Sequence, residues 1–224
     1  PSENGSEIML SLERMNKILG LNKENFTITV EAGCILNNIQ VLAEDNNFFF
    51  PLSLASEGSC TIGGNLATNA GGINVLRYGM ARDLVLGLEV VMANGDIWDN
   101  LKSLRKDNRG YNLKHLFVGS EGTLGIITKA ILKLFPTPNF IETAIFSISD
   151  PEAAIKLFSL ARTASADLLN AYELINRIGL EMVLKNIPDT KEPFNKKYKW
   201  YILLEFSSSS KSNLRDQMEK LFAL

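Results

Sequence analysis

The sequence has few of the residues on which acid–base and nucleophilic catalysis depend. It contains one histidine, His115, and two cysteines, Cys34 and Cys60. A nucleophile needs a base beside it, and no such pair is apparent. The cysteines are too few for a disulfide framework and lack the spacing of metal ligands, so a reducing compartment is favoured. We interpret His115 as a structural or surface residue, and we predict no catalytic residue and no metal ligand in the chain.

Familiar binding motifs are missing as well. No GK[ST] follows the glycines, as a Walker loop requires, and the GxGxxG fingerprint of nicotinamide dinucleotide sites is absent. The 23 basic and 25 acidic residues give a formal charge of −2 without a basic cluster. This balance argues against a nucleic-acid partner, which needs a concentrated positive face. No apolar run approaches the roughly 18 residues of a membrane-spanning helix.

Glycine, by contrast, is concentrated in one stretch. The segment 58–79, GSCTIGGNLATNAGGINVLRYG, carries six of the sixteen glycines, and no charged side chain occurs between Gly58 and Leu76. Glycine lets a ligand approach the main chain, and oriented amides bind anions without buried cations. Because no acid, base or metal motif lies nearby, the pattern favours a cofactor with its own reactivity, and a flavin fits. The alternative is a glycine-rich loop without a ligand.

Periodicity predicts the surrounding elements. The first part contains predicted strands at 7–12, 26–31, 83–92, 97–98 and 126–135 and helices at 35–46 and 113–118, with polar turns or loops at 13–25 and 100–112. Asn94-Gly95 indicates a hairpin turn, and we expect the aromatic triplet 48–50 in the core. After the prolines at 136 and 138, strands at 142–148, 169–174 and 199–206 alternate with helices at 151–163, 176–186 and 212–223. We place the domain boundary there, giving domains 1–138 and 139–224.

Several segments resemble a known family. PLSLASEGSCTIGGNLATNAGG (51–72), NVLRYG (74–79), LVLGLEVVMANG (84–95) and LFVGSEGTLGIIT (116–128) are similar to the FAD-binding domain of the vanillyl-alcohol-oxidase and cresol-methylhydroxylase superfamily. SLRKDNRGYNLK (103–114) resembles the D-2-hydroxyglutarate dehydrogenases most. The resemblance implies an α+β fold, with an FAD-binding domain of the vanillyl-alcohol-oxidase/cresol-methylhydroxylase type over 1–138. The start of an α+β cap, or substrate, domain follows over 139–224.

The resemblance also implies which residues meet the cofactor. One group would line the isoalloxazine ring and ribityl chain, and a second, at a later glycine-rich turn, would meet the adenosine half. Ser53 stands where the family pattern has Asp. The first group is Pro51, Leu52, Gly58, Ser59, Gly63, Gly64, Asn65, Thr68, Asn69 and Gly72, and the second is Glu121, Gly125, Ile126 and Ile127.

The implied activity is FAD-dependent oxidation of a D-2-hydroxyacid, foremost D-2-hydroxyglutarate, by hydride transfer to the flavin. D-lactate dehydrogenase or a glycolate oxidase subunit are the alternatives within the family. A non-catalytic flavin-binding subunit and an unrelated anion-binding module are alternatives of other classes. The resemblance further implies an electron-transfer protein or quinone as acceptor, and it leaves a homodimer open. It places the protein in the cytoplasm, or in the mitochondrion of a eukaryote, with attachment to a membrane surface open.

In the family, a further glycine-rich phosphate loop would precede Pro1, and a divalent metal site would lie in a C-terminal half beyond Leu224. We therefore expect the 224 residues to be a fragment that binds FAD weakly by itself and is inactive alone.

Overall fold

The computed structural model describes residues 5–6 and 8–222 of the chain. Strands and helices alternate irregularly along it. In chain order they are β1 (Ile18–Asn22), β2 (Thr27–Glu31), α1 (Leu36–Asp45), β3 (Phe48–Phe49), α2 (Ile62–Ala67), α3 (Val75–Tyr78), α4 (Ala81–Leu84), β4 (Val85–Val91), β5 (Ile97–Asn100), α5 (Lys114–Phe117), β6 (Ile126–Lys133), β7 (Phe135–Pro136), β8 (Phe140–Ile148), α6 (Pro151–Ser165), β9 (Leu169–Asn176), α7 (Arg177–Asn186), β10 (Trp200–Ser208) and α8 (Leu214–Phe222).

The chain forms two compact units. The first comprises Pro1–Gly72 and Gly79–Thr137, and the second comprises Ile73–Tyr78 and Pro138–Leu224. Helices combined with antiparallel sheets confirm the expected α+β class. None of the described helices has the length and apolar character needed to cross a bilayer.

The first unit is built on a five-stranded antiparallel sheet in the order β1-β2-β6-β4-β5. Strand β4 lies inside this sheet, and five of its seven residues are buried, as expected for the apolar run predicted at 83–92. Its first residues differ from that prediction, because 81–84 form α4. The Asn94-Gly95 hairpin is confirmed, since Gly95 has a φ of +88° and β4 pairs with β5.

The N-terminal expectations were partly wrong. Residues 8–12 form no strand, and residue 7 lies outside the described residues. The side chains of Ile8 and Met9 are 95% and 73% exposed, so this short apolar run packs against no sheet. The first strand is instead β1, within the segment predicted as a polar turn, and it pairs with β2. Neighbouring β2 supplies the pairing that the local sequence of β1 does not reveal.

The aromatic triplet lies in the core of the first unit, as predicted. Phe48 and Phe50 are 8% and 2% exposed, and the ring of Phe48 meets that of Phe26 edge to face at 4.9 Å between centroids. Pro136 is part of a strand, because Phe48 pairs with it in the short β3–β7 ladder. Proline is tolerated there because a two-residue edge strand needs few donors.

The second unit contains an antiparallel sheet in the order β8-β10-β9, with α6 and α8 packed on it. The central strand β10 supplies Ile202, Leu204 and Phe206, each 0% exposed. Helix α6 begins as predicted, with Pro151 at its first position and the Asp150 carboxylate accepting a hydrogen bond from the amide of Ala153 at 2.8 Å.

The short segment 73–78 belongs to the second unit through polar contacts. Asn170 donates through Nδ2 to Asn74 Oδ1 at 2.7 Å, and Arg77 donates to Ser207 Oγ at 2.7 Å. Asn74, Asn170 and Ser207 are at most 7% exposed. Buried polar groups need such partners, so these hydrogen bonds fix α3 beside β9 and β10.

Candidate cofactor-binding site

The site is built in the first unit from two segments, 58–72 and 119–127, which we call the glycine-rich site. Helix α2 lies within the first segment and begins against the residues that follow β2. Ile62 donates its amide hydrogen to the carbonyl of Cys34 at 2.9 Å, and Gly63 donates to the carbonyl of Ala32 at 2.7 Å. A Cβ on Gly63 would lie 2.6 Å from Ala32 Cβ. Gly63 is therefore required by close packing of α2 on the chain that follows β2.

Close packing does not explain two other glycines of this segment, Gly58 and Gly64. A Cβ on Gly58 would meet nothing within 4 Å, and one on Gly64 would meet only Thr61 Oγ1 at 3.4 Å. Neither glycine has a positive φ, and both are exposed. Since neither packing nor backbone conformation calls for glycine, these positions leave bare main chain facing open space, as close approach of a flat ligand requires.

The entry to this segment is fixed by a small polar cluster. Gln40 donates through Nε2 to the carbonyl of Leu52 at 2.8 Å and to Glu57 Oε2 at 3.1 Å. Ser53, which replaces the expected aspartate, donates to the same carboxylate at 3.3 Å. A Cβ on Gly72 would lie 1.8 Å from the Ser53 carbonyl oxygen. Ser53 and Gly72 therefore place the end of the first segment in contact with the chain that leads into it.

The polar side chains of α2 and its end are engaged within the fold. Asn65, 5% exposed, donates to Cys60 Sγ at 3.4 Å. Thr68 donates to the carbonyl of Gly64 at 3.0 Å, and Asn69, with a φ of +50°, accepts from the amide of Arg82 at 3.0 Å. The structure thus gives these predicted lining residues structural hydrogen bonds, and Thr68 alone of the three is fully exposed.

The second glycine-rich turn lies directly against the end of α2. Gly119 donates its amide hydrogen to the carbonyl of Leu66 at 3.0 Å, and Glu121 donates to that of Ala67 at 2.9 Å. Gly119, Glu121 and Gly122 have φ of +84°, +51° and +77°. Ser120 donates its amide hydrogen to the carbonyl of Phe117 at 3.1 Å, so the fold itself uses three successive amides of this turn. The structure therefore brings together the two segments that the sequence places almost 50 residues apart.

Most of the remaining predicted residues are buried or half-buried and support the main chain of the site. Leu52 and Ile127 are 2% and 5% exposed, Pro51 is buried and Ile126 half-buried, so these side chains belong mainly to the core. A Cβ on Gly125 would lie 2.6 Å from Val90 Cγ1, which explains the glycine by its approach to β4. Ser59 is exposed beside Gly58, and its hydroxyl donates to the carbonyl of Ser56 at 3.3 Å.

Sequence reasoning missed Arg82, which holds the second turn in place. Its guanidinium donates to the carbonyl of His115 at 2.6 Å and also to that of Val118. These oxygens lie at α5 and immediately before Gly119. The sequence signal for this role was the single arginine between Gly79 and the apolar strand β4. A partly buried guanidinium must find several hydrogen-bond acceptors.

The histidine and the buried cysteine of this unit both have pKa values shifted in favour of their neutral forms. Burial, with Lys114 and Arg82 close by, lowers the pKa of His115 below its usual value, and its Nδ1 has no hydrogen-bond partner among the described residues. Burial, reinforced by Glu31, raises the pKa of the Cys34 thiol. In the described part of the chain, no group of three or more His, Cys, Asp or Glu residues is placed to hold a metal ion. The arrangement suits binding by main-chain contact.

Comparison with known proteins shows which family model, relatives and solved structures the chain is similar to. Residues 2–100 match a family model described as an FAD binding domain. The chain is 39% identical over 213 residues to "D-2-hydroxyglutarate dehydrogenase, mitochondrial" of Arabidopsis thaliana, covering 95% of the chain and 38% of that protein. It is 38% identical to "D-2-hydroxyglutarate--pyruvate transhydrogenase DLD3" of Saccharomyces cerevisiae, covering 97% of the chain and 43% of that protein. The chain therefore spans about two fifths of the length of these relatives.

Solved structures share the fold. An alkyldihydroxyacetonephosphate synthase matches with a TM-score of 0.76 at 21% identity, covering 94% of the chain and 41% of that structure. The Arabidopsis thaliana protein described as BBE-like #28 matches with a TM-score of 0.61 at 19% identity, covering 93% of the chain and 39% of that structure. The expected similarity to an FAD-binding domain and to D-2-hydroxyglutarate dehydrogenases is confirmed by the family model and the relatives above, and the solved structures show a shared fold.

Proposed function

We propose that this chain, whose residues 2–100 belong to the FAD binding domain family, binds FAD at the glycine-rich site for the oxidation of D-2-hydroxyglutarate. The observation that carries the proposal is the open main chain at Gly58 and Gly64, where an added Cβ would meet no packed neighbour. Flavin enzymes depend on the cofactor for their chemistry, while the protein supplies binding and orientation. This division of roles agrees with a site built mainly from main chain and neutral side chains.

Within this proposal, the main chain near Gly58, Ser59 and Gly64 faces the isoalloxazine ring and ribityl chain. Gly63, Asn65 and Gly72 hold that surface in shape, with Thr68 and Asn69 at its end. The remaining proposed cofactor residues are Pro51 and Leu52 near the ring, and Glu121, Gly125, Ile126 and Ile127 near the adenosine half.

FAD bound at this site would supply two-electron oxidation as the acceptor of the C2 hydride of a 2-hydroxyacid, and the hydroxyl proton would pass to a base or to water. The residues of this chain position and shield it. The positive-φ turn at 119–122 lies against the end of α2, because the amides of Gly119 and Glu121 donate to the carbonyls of Leu66 and Ala67. Arg82 keeps this turn against α2 through the carbonyls of His115 and Val118. That a divalent metal assists the reaction stays a prediction, because no group of three or more His, Cys, Asp or Glu residues in the described part of the chain is placed to hold one.

The choice of substrate follows the named relatives. Several that are about 40% identical carry the name D-2-hydroxyglutarate dehydrogenase, which favours this dicarboxylate. A "Putative D-lactate dehydrogenase C713.03, mitochondrial" of Schizosaccharomyces pombe is 38% identical, so D-lactate is the second candidate. The acceptor is proposed to be an electron-transfer protein, a quinone or a second 2-oxoacid. The relatives' names further support a mitochondrial location if the source is eukaryotic.

The test measures the binding of FAD first and then the reduction of the bound flavin by candidate substrates. The full-length natural protein is titrated with FAD while flavin fluorescence is followed, and the loaded protein is then mixed anaerobically with D-2-hydroxyglutarate, D-lactate, glycolate and L-2-hydroxyglutarate. We expect saturable quenching, and bleaching of the visible flavin band fastest with D-2-hydroxyglutarate. Fastest bleaching by D-lactate would support the second candidate instead. Saturable binding without bleaching by any acid would indicate a non-catalytic flavin-binding subunit, and absence of saturable quenching would refute the cofactor assignment.

A further inference from the structure

The first unit contains a cavity of about 540 Å³ apart from the two glycine-rich segments. Its walls come from the starts of β4 and α5, from β5, from the polar segment 102–113 and from the end of β6. Volumes of several hundred Å³ are typical of small-molecule sites. We call it the cationic cavity after its lining cations, Arg82, Lys102, Arg105, Arg109, Lys114 and Lys133.

Acidic groups do not balance these cations. Three aspartates line the cavity against six cationic side chains. Asp107 is paired with Arg109 at 2.7 Å. The carboxylates of Asp99 and Asp83 accept backbone amide hydrogens, at 3.0 Å and 2.9 Å. Asp107 is therefore the one carboxylate of these three that forms an ion pair with a lining cation, and the other five cations form no ion pair among the described residues.

Those cations rely on neutral oxygens. Lys114 donates through Nζ to the side-chain oxygen of Asn112 at 2.8 Å, and Lys133 donates to the backbone carbonyl of Asp83. Arg105 reaches three backbone carbonyls at 3.2 to 3.4 Å. Neutral acceptors leave most of a positive charge uncompensated, which is costly where water is excluded.

Lys114 shows the imbalance most clearly, because it is only 9% exposed. Burial and then the charge of Lys133 lower the pKa of Lys114, against the opposing effect of Asp107. Burial and the charge of Arg105 also lower the pKa of Lys133, against the opposing effect of Asp83. Lys114 and Lys133 are partly enclosed cations of the cavity, and a bound anion would offset the unfavourable effect of Lys133 on Lys114.

We propose that the cationic cavity binds a small polyvalent oxyanion, a carboxylate or a phosphate, with Lys114 and Lys133 as its main cationic contacts. The amide side chain of Asn112 and the nearby Arg105 complete a surface of donors that suits carboxylate and phosphate oxygens. The inference is independent of flavin binding, because none of the proposed cofactor residues lines this cavity.

Isothermal titration calorimetry of the purified protein at low ionic strength tests the proposal. Inorganic phosphate and glutarate are titrated separately, with acetate as a monovalent comparison. We expect saturable binding of phosphate or glutarate, tighter than that of acetate and weakened by added sodium chloride. The tighter of the two probes identifies the source of the oxyanion. No saturable heat with either, or equal binding of all three, would overturn the proposal.

Variants localise the binding. Lys114→Met keeps the buried stem and removes the charge, so the dissociation constant of the bound probe should rise by at least about tenfold. Lys133→Met should act in the same direction, which keeps the test valid if one variant does not fold. Lys23→Met is the matched control, because Lys23 is exposed in the same unit and does not line the cavity. Unchanged affinity in a folded Lys114 or Lys133 variant would refute the assignment.

Discussion

Replacing Gly64 with alanine separates a ligand-binding role of this glycine from a structural one. The added Cβ meets only Thr61 Oγ1 at 3.4 Å, so it introduces no serious overlap. Alanine is favoured over glycine inside a helix by about 0.5–1 kcal/mol. We therefore expect Gly64→Ala to raise the free energy of unfolding of the cofactor-free protein by up to about that amount, as measured by urea denaturation.

The same Cβ should weaken FAD binding, because it would stand between the flavin and the main chain. A tenfold loss of affinity corresponds to about 1.4 kcal/mol, and we expect at least this loss in a fluorescence titration. A variant that is more stable and yet binds its cofactor less well has no explanation in packing alone. Unchanged FAD affinity would refute contact at Gly64, and lower stability would refute our account of the open space beside it.

Two controls accompany this variant. Gly20→Ala places a methyl group in open space on β1, away from both glycine-rich segments, so FAD affinity should not change. Gly63→Ala would put its Cβ 2.6 Å from Ala32 Cβ. Overpacking of this kind costs about 1–3 kcal/mol, so Gly63→Ala should destabilise the protein while its neighbour Gly64→Ala does not.

Three further outcomes are expected. Arg82→Met removes the charge-assisted hydrogen bonds that hold the second turn, so urea denaturation should show a loss of about 2 kcal/mol and FAD titration a weaker affinity; a variant equal to the parent in both would contradict that role. Gly125→Ala drives a Cβ against Val90 and should cost about 1–3 kcal/mol in the same assay. Burial raises the pKa of Tyr172 to about 12, above about 10 in the unfolded chain. Its protonated form is therefore favoured by folding, and this contribution to stability, present below pH 10, is lost as the pH rises toward 12. Ultraviolet titration against Tyr172→Phe checks this, and ionisation of Tyr172 near its unfolded value would refute it.

Much of the fold was predictable because local patterns coincide with local structure. The alternation in 26–31 and the helical spacing in 35–46 correspond to β2 and α1. Asp150 and Pro151 mark the start of α6 by a mechanism confined to one turn of helix. The failure at β1 has the opposite cause, since that strand is specified by its partner β2 and its own residues are mostly exposed.

Sequence by itself determined that the first unit would carry glycine-rich main chain without acid–base groups, and the family resemblance gave that segment a cofactor. Only the tertiary structure decided which glycines are there for packing, because a Cβ clash depends on residues distant in the chain, as with Gly63 and Ala32 or Gly125 and Val90. It also decided that residues 73–78 pack with the second unit, and that Arg82 ties one glycine-rich segment to the other. The cationic cavity could not be predicted from a sequence of nearly balanced charge. The total charge of a chain does not say which charged side chains line the same cavity.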